Sequence, residues 1–209
     1  MEKFVHLHNH TEYSLLDGAN KISDLVAKTK EYGWDAVAIT DHGNMYGALQ
    51  FYTACLVAGI KPIIGCEFYA CFDMHKKQGK DDMGHLILLA KNNEGYHNLL
   101  KLNSMAYVDG YYYKPRIDYK LLKQYSNGLI CLSACLAGHI PQMILQHRYE
   151  DAKKFALELN DMFPNGDFYL EIQNHGIPEQ KEVMVALKRI SEETGIKLVA
   201  TNDCHYLKK

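Results

Sequence analysis

Phe4-Val5-His6-Leu7-His8-Asn9-His10-Thr11 opens the chain with apolar residues alternating with histidines, just ahead of the turn-like Leu16-Asp17-Gly18. Read as a strand, its period of two puts His6, His8 and His10 on one face. Imidazoles two residues apart can chelate one ion, and a carboxylate further on can complete the shell. A lone His-x-His fits better a strand with buried, hydrogen-bonded histidines. The rest of the chain weighs between these readings, because side chains of metal-ligand type recur after later strand-like segments.

Outward from that stretch, residues 3–8, 36–40, 61–69, 86–90, 129–133, 168–172 and 197–201 read as strands. Residues 22–32, 46–58, 94–105, 149–162 and 179–193 read as helices, by their apolar spacing. Strands apolar on both faces alternating with helices predict an α/β fold with a parallel sheet. The expected architecture is a distorted seven-stranded (β/α)7 barrel of TIM type, filling one domain over residues 1–209.

Two stretches break the rhythm. Residues 71–84 are polar and carry Lys76, Lys77, Lys80, Asp81 and Asp82; residues 105–126 contain Tyr111-Tyr112-Tyr113-Lys114-Pro115-Arg116. Both exceed ordinary connections, which makes them candidate loops at the edge of a site. The first reads better as solvated surface. For Lys114 and Arg116, contact with a phosphate and plain surface exposure stay equally open, since cations beside tyrosines suit a nucleic-acid backbone.

No run reaches the roughly 18 to 20 apolar residues of a membrane-spanning helix, and no basic-then-apolar leader opens the chain, so a soluble, unsecreted protein is expected. The six cysteines show neither a dense disulfide spacing nor a Cys-x-x-Cys zinc motif, which fits a reducing cytoplasm. A formal net charge of −2 argues against a generally basic, nucleic-acid-coating surface. Bound divalent cations would add local positive charge to that count, so a phosphate substrate is not excluded.

In a parallel barrel the chemistry gathers at the carboxyl ends of the strands. His8 and His10 end the first expected strand, Asp41 and His42 the second and Glu67 the third, while Asp203 and His205 follow the last. Asp17 lies in the first turn. Cys135 lies three residues past Leu132, where a thiolate could bind an ion or a small side chain could simply pack. His85 is awkward, because it precedes its apparent strand instead of ending it. Cys55, Cys131 and Cys204 read as packing residues, and Trp34 as packing beneath the second strand. His75, His97, His139 and His147 read as surface or packing residues.

With those residues in view, the chain resembles the PHP (polymerase and histidinol phosphatase) domain family, in the form found at the N-terminus of bacterial DNA polymerase III alpha subunits. The resemblance rests on His6-Leu7-His8-Asn9-His10-Thr11, Tyr13-Ser14-Leu15-Leu16-Asp17-Gly18, Ile39-Thr40-Asp41-His42-Gly43-Asn44 and Lys61-Pro62-Ile63-Ile64-Gly65-Cys66-Glu67. It extends through Lys114-Pro115-Arg116-Ile117-Asp118, Glu171-Ile172-Gln173-Asn174-His175-Gly176 and Ala200-Thr201-Asn202-Asp203-Cys204-His205-Tyr206. It runs essentially end to end and implies that such a chain continues into a polymerase body.

The resemblance implies three divalent ions, zinc, manganese or iron. His8, His10, Glu67 and Asp203 would hold the first. Glu67 would bridge to a second held with His85 and Cys135, and Asp17, His42 and His205 would hold the third. His6 would then lie one layer deeper, in the barrel interior. Asp41 is expected to orient a ligand imidazole, and His175 to act as a second-layer contact, a substrate edge or a structural residue.

The implied activity is 3′–5′ exonuclease proofreading at a DNA 3′ end, with Glu67, Asp203 and His205 catalytic through a metal-bound hydroxide. The expected partners are that DNA end, the remainder of the alpha subunit and other replisome subunits, with no membrane. Two alternatives stand beside it: a metal-stabilised structural module, and a small-molecule phosphatase of histidinol-phosphate type.

Overall fold

The computed structural model describes residues 4–78 and 82–207. Lys3, Lys80 and Asp81, which enter the readings above, lie outside the described residues.

The chain alternates as expected through most of its length: α1 (Ile22–Glu31), β1 (Ala36–Ile39), α2 (Ala48–Ala58), β2 (Lys61–Cys71), β3 (Gly84–Ala90) and α3 (Asn93–Val108). Then follow β4 (Arg116–Asp118), α4 (Tyr119–Gln124), β5 (Leu129–Leu132), α5 (His139–Leu145), α6 (Tyr149–Met162), β6 (Phe168–Ile172), α7 (Pro178–Thr194) and β7 (Lys197–Ala200). Capping chemistry marks several ends. The Asn92 side chain accepts from Gly95 N–H to start α3, and Pro178 opens α7, which Gly195 closes in a left-handed conformation.

Seven strands form one curled sheet in the order β1-β2-β3-β5-β6-β7, with β4 paired on β2 off that path, a distorted TIM-like barrel. The expected all-parallel arrangement is corrected at β3, which runs antiparallel to both β2 and β5. Among the described residues of 71–84 there is no crossover helix, so the chain leaving β2 can only turn back beside it. Helices α3 to α7 bury the outer faces of β2 to β6 around Phe68, Leu88, Leu102 and Phe168, while α1 and α2 pack on β1 through Ile22, Phe51 and Val37.

The first expected strand is not a regular strand among its described residues. It is an extended segment that closes the barrel. Ala38 N–H donates to His6 O at 2.9 Å and Thr40 N–H to Asn9 O at 2.9 Å on one side; His10 N–H donates to Cys204 O at 2.8 Å and Cys204 N–H to His8 O at 3.1 Å on the other. Side chains supply the rest of the ladder: Asn9 N–H donates to Thr40 Oγ1, and Asn9 Nδ2 donates to Ala38 O. This mixed bonding breaks the period of two. His6 therefore does not enter the barrel interior; its ring packs on Trp34 at 4.9 Å and Phe4 at 4.8 Å. Leu7 packs instead against the interior cluster of Ala38, Ile87, Leu89, Leu132 and Ala134.

Residues 105–126 are likewise not one loop, since they hold the end of α3, β4 and α4. Arg116 is corrected with them as a substrate candidate. The residue is 1% exposed, with Nε donating to Gly110 O and Nη2 donating to Met74 O and Lys76 O at 3.0 and 3.1 Å. It is spent on backbone carbonyls and ties the two long stretches together. Lys76, Lys77 and Asp82 are exposed, in keeping with the surface reading.

Candidate metal centre

The reversal of β3 explains His85. As the second residue of a strand antiparallel to β2, paired opposite Tyr69, it lies at the end of the barrel where the parallel strands finish. Glu67 is also repositioned, to mid-strand. Strand β2 pairs with β1 only over Lys61 to Ile64 and continues beside β3 and β4, so Glu67 sits where the β1 pairing ends. His42 and Glu67 form an isolated parallel bridge there.

All nine ligand candidates meet in one constellation. His8 Nε2 lies 3.1 Å from His10 Nε2, and each is 3.1 Å from Asp203 Oδ1. Glu67 Oε1 is 3.4 Å from His8 Nε2 and 3.0 Å from His85 Nδ1, and its Oε2 contacts His42 Nδ1. Cys135 Sγ is 3.7 Å from His85 Nδ1. Asp17 Oδ2 lies 3.2 Å from His42 Nε2 and 3.6 Å from His205 Nε2, whose ring returns to Asp203 Oδ1 at 3.5 Å. Three trios have ligand atoms all within 4.8 Å of one another: His8, His10 and Asp203; His42, Glu67 and His85; His10, His42 and His205.

Backbone geometry turns two of the donors inward. Asp203 is held at φ 46°, and Ala134, just before Cys135, at φ 63°, left-handed conformations that side-chain-bearing residues rarely adopt. Gly18, beside Asp17, has no room for a Cβ, which would fall 1.9 Å from Thr11 O.

A second layer fixes the rings. His8 Nδ1–H donates to Glu171 Oε1 at 2.7 Å, and that oxygen also accepts from Gln173 Nε2 and from Thr201 Oγ1. The Ser14 hydroxyl donates to Asp41 Oδ1 at 2.8 Å, so its oxygen accepts from His10 Nδ1–H at 3.0 Å. Asp41 thus acts on a ligand imidazole, through Ser14. With both Nδ1 atoms engaged by this layer, Nε2 is the nitrogen that each ring turns toward the centre.

Around that point the buried atoms Glu67 Oε1 and Oε2, Asp203 Oδ1 and His42 Nδ1 have no hydrogen-bond partner. Buried polar atoms are rarely left so, and here they converge on the two Nε2 atoms. A bound cation resolves this, and the mixed nitrogen, carboxylate and thiol set suits zinc, manganese or iron.

The titration behaviour shows a centre that favours positive charge, so that a proton and an ion compete for the same His8 nitrogen. Burial opposes a charge on His8, yet Glu171, Glu67 and Asp203 outweigh it and raise its pKa well above the usual imidazole value. Burial opposes charge on Glu67 too, but His42, His8 and His85 hold it well below the usual carboxylate value. Asp203, despite its burial, is lowered to about 2, chiefly by His10. Burial, with Glu67 and Asp203 adding, pushes the Cys135 thiol upward; a cation reverses that sign.

The other candidates divide. Lys114 stands at the rim, its ammonium 5.4 Å from the centre of the Tyr69 ring. His175 joins no ligand trio: its Nε2 lies 2.8 Å from Asn202 O and its Nδ1 accepts from Gln180 Nε2, which pins the loop leading to Asp203. Sequence reasoning missed Ser14, Glu171, Gln173 and Thr201. Glu171 did leave a signal, a carboxylate at a buried position of an otherwise apolar strand.

The sequence model of the PHP domain family matches residues 6–175. The DNA polymerase III subunit alpha of Borreliella burgdorferi is 52% identical over 99% of this chain, and that of Helicobacter pylori 50% identical over 97%. The chain spans 18% of the length of each. A Bifidobacterium adolescentis crystal structure, described as that of a metal-dependent phosphoesterase, superposes with a TM-score of 0.61 at 17% identity, covering 100% of this chain and 90% of its own.

Proposed function

The chain belongs to the PHP domain family, and from that premise we propose that residues 1–209 are the metal-dependent phosphoesterase part of a DNA polymerase III alpha subunit, acting as a 3′–5′ exonuclease on DNA. The observation that carries the reading is the convergence of His8 Nε2 and His10 Nε2, 3.1 Å apart, with carboxylate oxygens that have no hydrogen-bond partner. Three divalent ions fit the donor count. Bound there, they would supply Lewis-acid charge to a phosphate and acidify a water molecule.

The residues have separable tasks. Glu67 turns its two oxygens to different rings, Oε1 to His8 and His85 and Oε2 to His42, the posture of a bridging carboxylate. Ions held by Glu67 with these rings would stabilise the charge that develops on a phosphate during displacement. Asp203 instead presents a single oxygen, Oδ1, to His8, His10 and His205, and His205 links that group to Asp17. Among the described residues no side chain is placed as a nucleophile: Ser14 is committed to Asp41 and His10, and Cys135 stands beside His85 as a ligand candidate.

The phosphodiester substrate is supported by the relatives, which are named as polymerase subunits. The rest of such a subunit, and the replisome subunits around it, are the partners this reading assigns. Among the described residues no helix is long and apolar enough to cross a membrane. One observation favours the structural alternative: His8 and His10 lie on the irregular segment that closes the barrel, so an ion there would also staple the fold.

The test is manganese-dependent degradation of a 3′-labelled primer by purified protein, beside Asp203→Asn and His10→Ala and a p-nitrophenyl phosphate control. Loss of 3′ nucleotides with the unaltered protein alone supports the exonuclease. Folded, metal-loaded protein inert on DNA supports the structural module, and activity confined to the small ester supports a phosphatase.

A further inference from the structure

The rim of the centre holds one basic residue that the metal chemistry leaves unused. Lys114 is half-buried, and among the described residues no carboxylate or hydrogen-bond acceptor is seen on its ammonium, which faces the Tyr69 ring. That ring meets His85 edge-on at 5.3 Å and lies within 21° of parallel to His42 at 6.3 Å. Tyr69 is thus a wall shared by two ligand imidazoles and Lys114.

The wall is tightly built. Gly43, the residue after His42, has a left-handed backbone and so little space that a Cβ would fall 3.0 Å from Pro115 and 3.1 Å from Tyr69. Tyr113 is held at φ 59° in a tight turn in which Tyr112 N–H donates to Lys114 O at 3.0 Å. A tyrosine rarely adopts that conformation, and such strain gathers at functional positions. Arg116, two residues on, is consumed by backbone carbonyls, so the two cations of one motif have opposite fates.

We propose that Lys114 forms a phosphate subsite beside the metal centre, gripping the phosphodiester adjacent to the one that is hydrolysed. This rests on the exonuclease reading. An ammonium is a compact charge suited to a phosphate oxygen. Tyr111 and Tyr113, within three residues of it in the chain, expose their rings to solvent, and aromatic rings accompany basic residues in proteins that hold single strands.

The test is fluorescence anisotropy with a hydrolysis-resistant single-stranded oligonucleotide and manganese, across a range of salt concentrations. Lys114→Met keeps the apolar stem and removes the charge. It should weaken binding about 5- to 10-fold and reduce the salt slope by about 0.7, the signature of one lost phosphate contact. Lys114→Gln should do the same should the methionine variant fold poorly, and Lys114→Arg should restore the slope. Lys120→Gln, an exposed charge on α4, serves as the control and should not change it. Unaltered protein that binds while Lys114→Met and Lys114→Gln match it in affinity and slope overturns the subsite. Unaltered protein that binds no single strand overturns the polynucleotide reading, and the subsite with it.

Discussion

Replacing Glu171 by glutamine isolates the electrostatic part of the second layer. Its Oε1 accepts from His8 Nδ1–H, Gln173 Nε2 and Thr201 Oγ1, whereas Oε2 is buried with no partner. A glutamine can keep its carbonyl oxygen in the first place and put its amide nitrogen in the second. The ring of His8 stays oriented, and only the charge is lost. Removing such a partner costs a metal site about 10- to 100-fold in affinity, or roughly 1.4–2.7 kcal/mol.

The pH dependence of that deficit follows from His8. Burial disfavours its charged form, and Glu171 is the largest influence working the other way. In the unaltered protein a proton therefore competes strongly with the ion for Nε2, and in Glu171→Gln it competes less. The affinity gap should be widest at alkaline pH, above the raised His8 value, and narrow as pH falls through it. Metal titration against a chromophoric chelator, at several pH values, measures both quantities. Dissociation constants within twofold of each other throughout would refute the assignment of Glu171 as a tuning partner of the centre.

Chelation should lower the melting temperature: one site held at 100 times its dissociation constant gives about 2.7 kcal/mol, or roughly 5–11 °C for a domain of this size, and calorimetry with and without chelator decides it. Arg116→Met leaves three carbonyls without their donor and should cost at least about 3 kcal/mol; a melting temperature within about 2 °C of the unaltered protein would contradict that. His139 is held below the usual imidazole value by burial, against the Asp82 carbonyl. Its protonation favours the unfolded chain, so its contribution is complete above about pH 6.5 and fades as pH falls toward the folded-state value. In chelator-treated protein, the melting temperature of His139→Gln should therefore vary less between about pH 7.5 and 5.5; parallel curves would contradict it.

Periodic apolar segments made most of the fold legible. Helix α6 and strand β6 have the bounds their spacing implies, because Phe155, Ala156 and Leu159 repeat at helical intervals and Phe168, Leu170 and Ile172 alternate. The direction of β3 was not legible, since an apolar run reads the same in either orientation. Strand β4 has three residues, too few to show a period. The opening segment carried a strand-like alternation that its structure does not keep, because Asn9 and Thr40 replace backbone ladder bonds with side-chain ones, and nothing local announces that pairing.

The same contrast runs through the centre. Donor types could be read one at a time, but the groups that orient them could not, because they act across the fold: Glu171 reaches His8 over 163 positions of sequence. What the structure adds is a gradient. His8, His10 and Glu67 are sealed from solvent, two of them with a ring nitrogen already engaged by a second layer. Asp17 is half exposed, on a turn whose Leu15 and Leu16 also face solvent. Charge held by the sealed side is strengthened by its dry surroundings and costs no rearrangement when a substrate arrives. Asp17, His42, His85 and His205 all reach solvent, so the pre-organised half of the centre and its solvent-facing half are set at opposite ends of one continuous set of ligands.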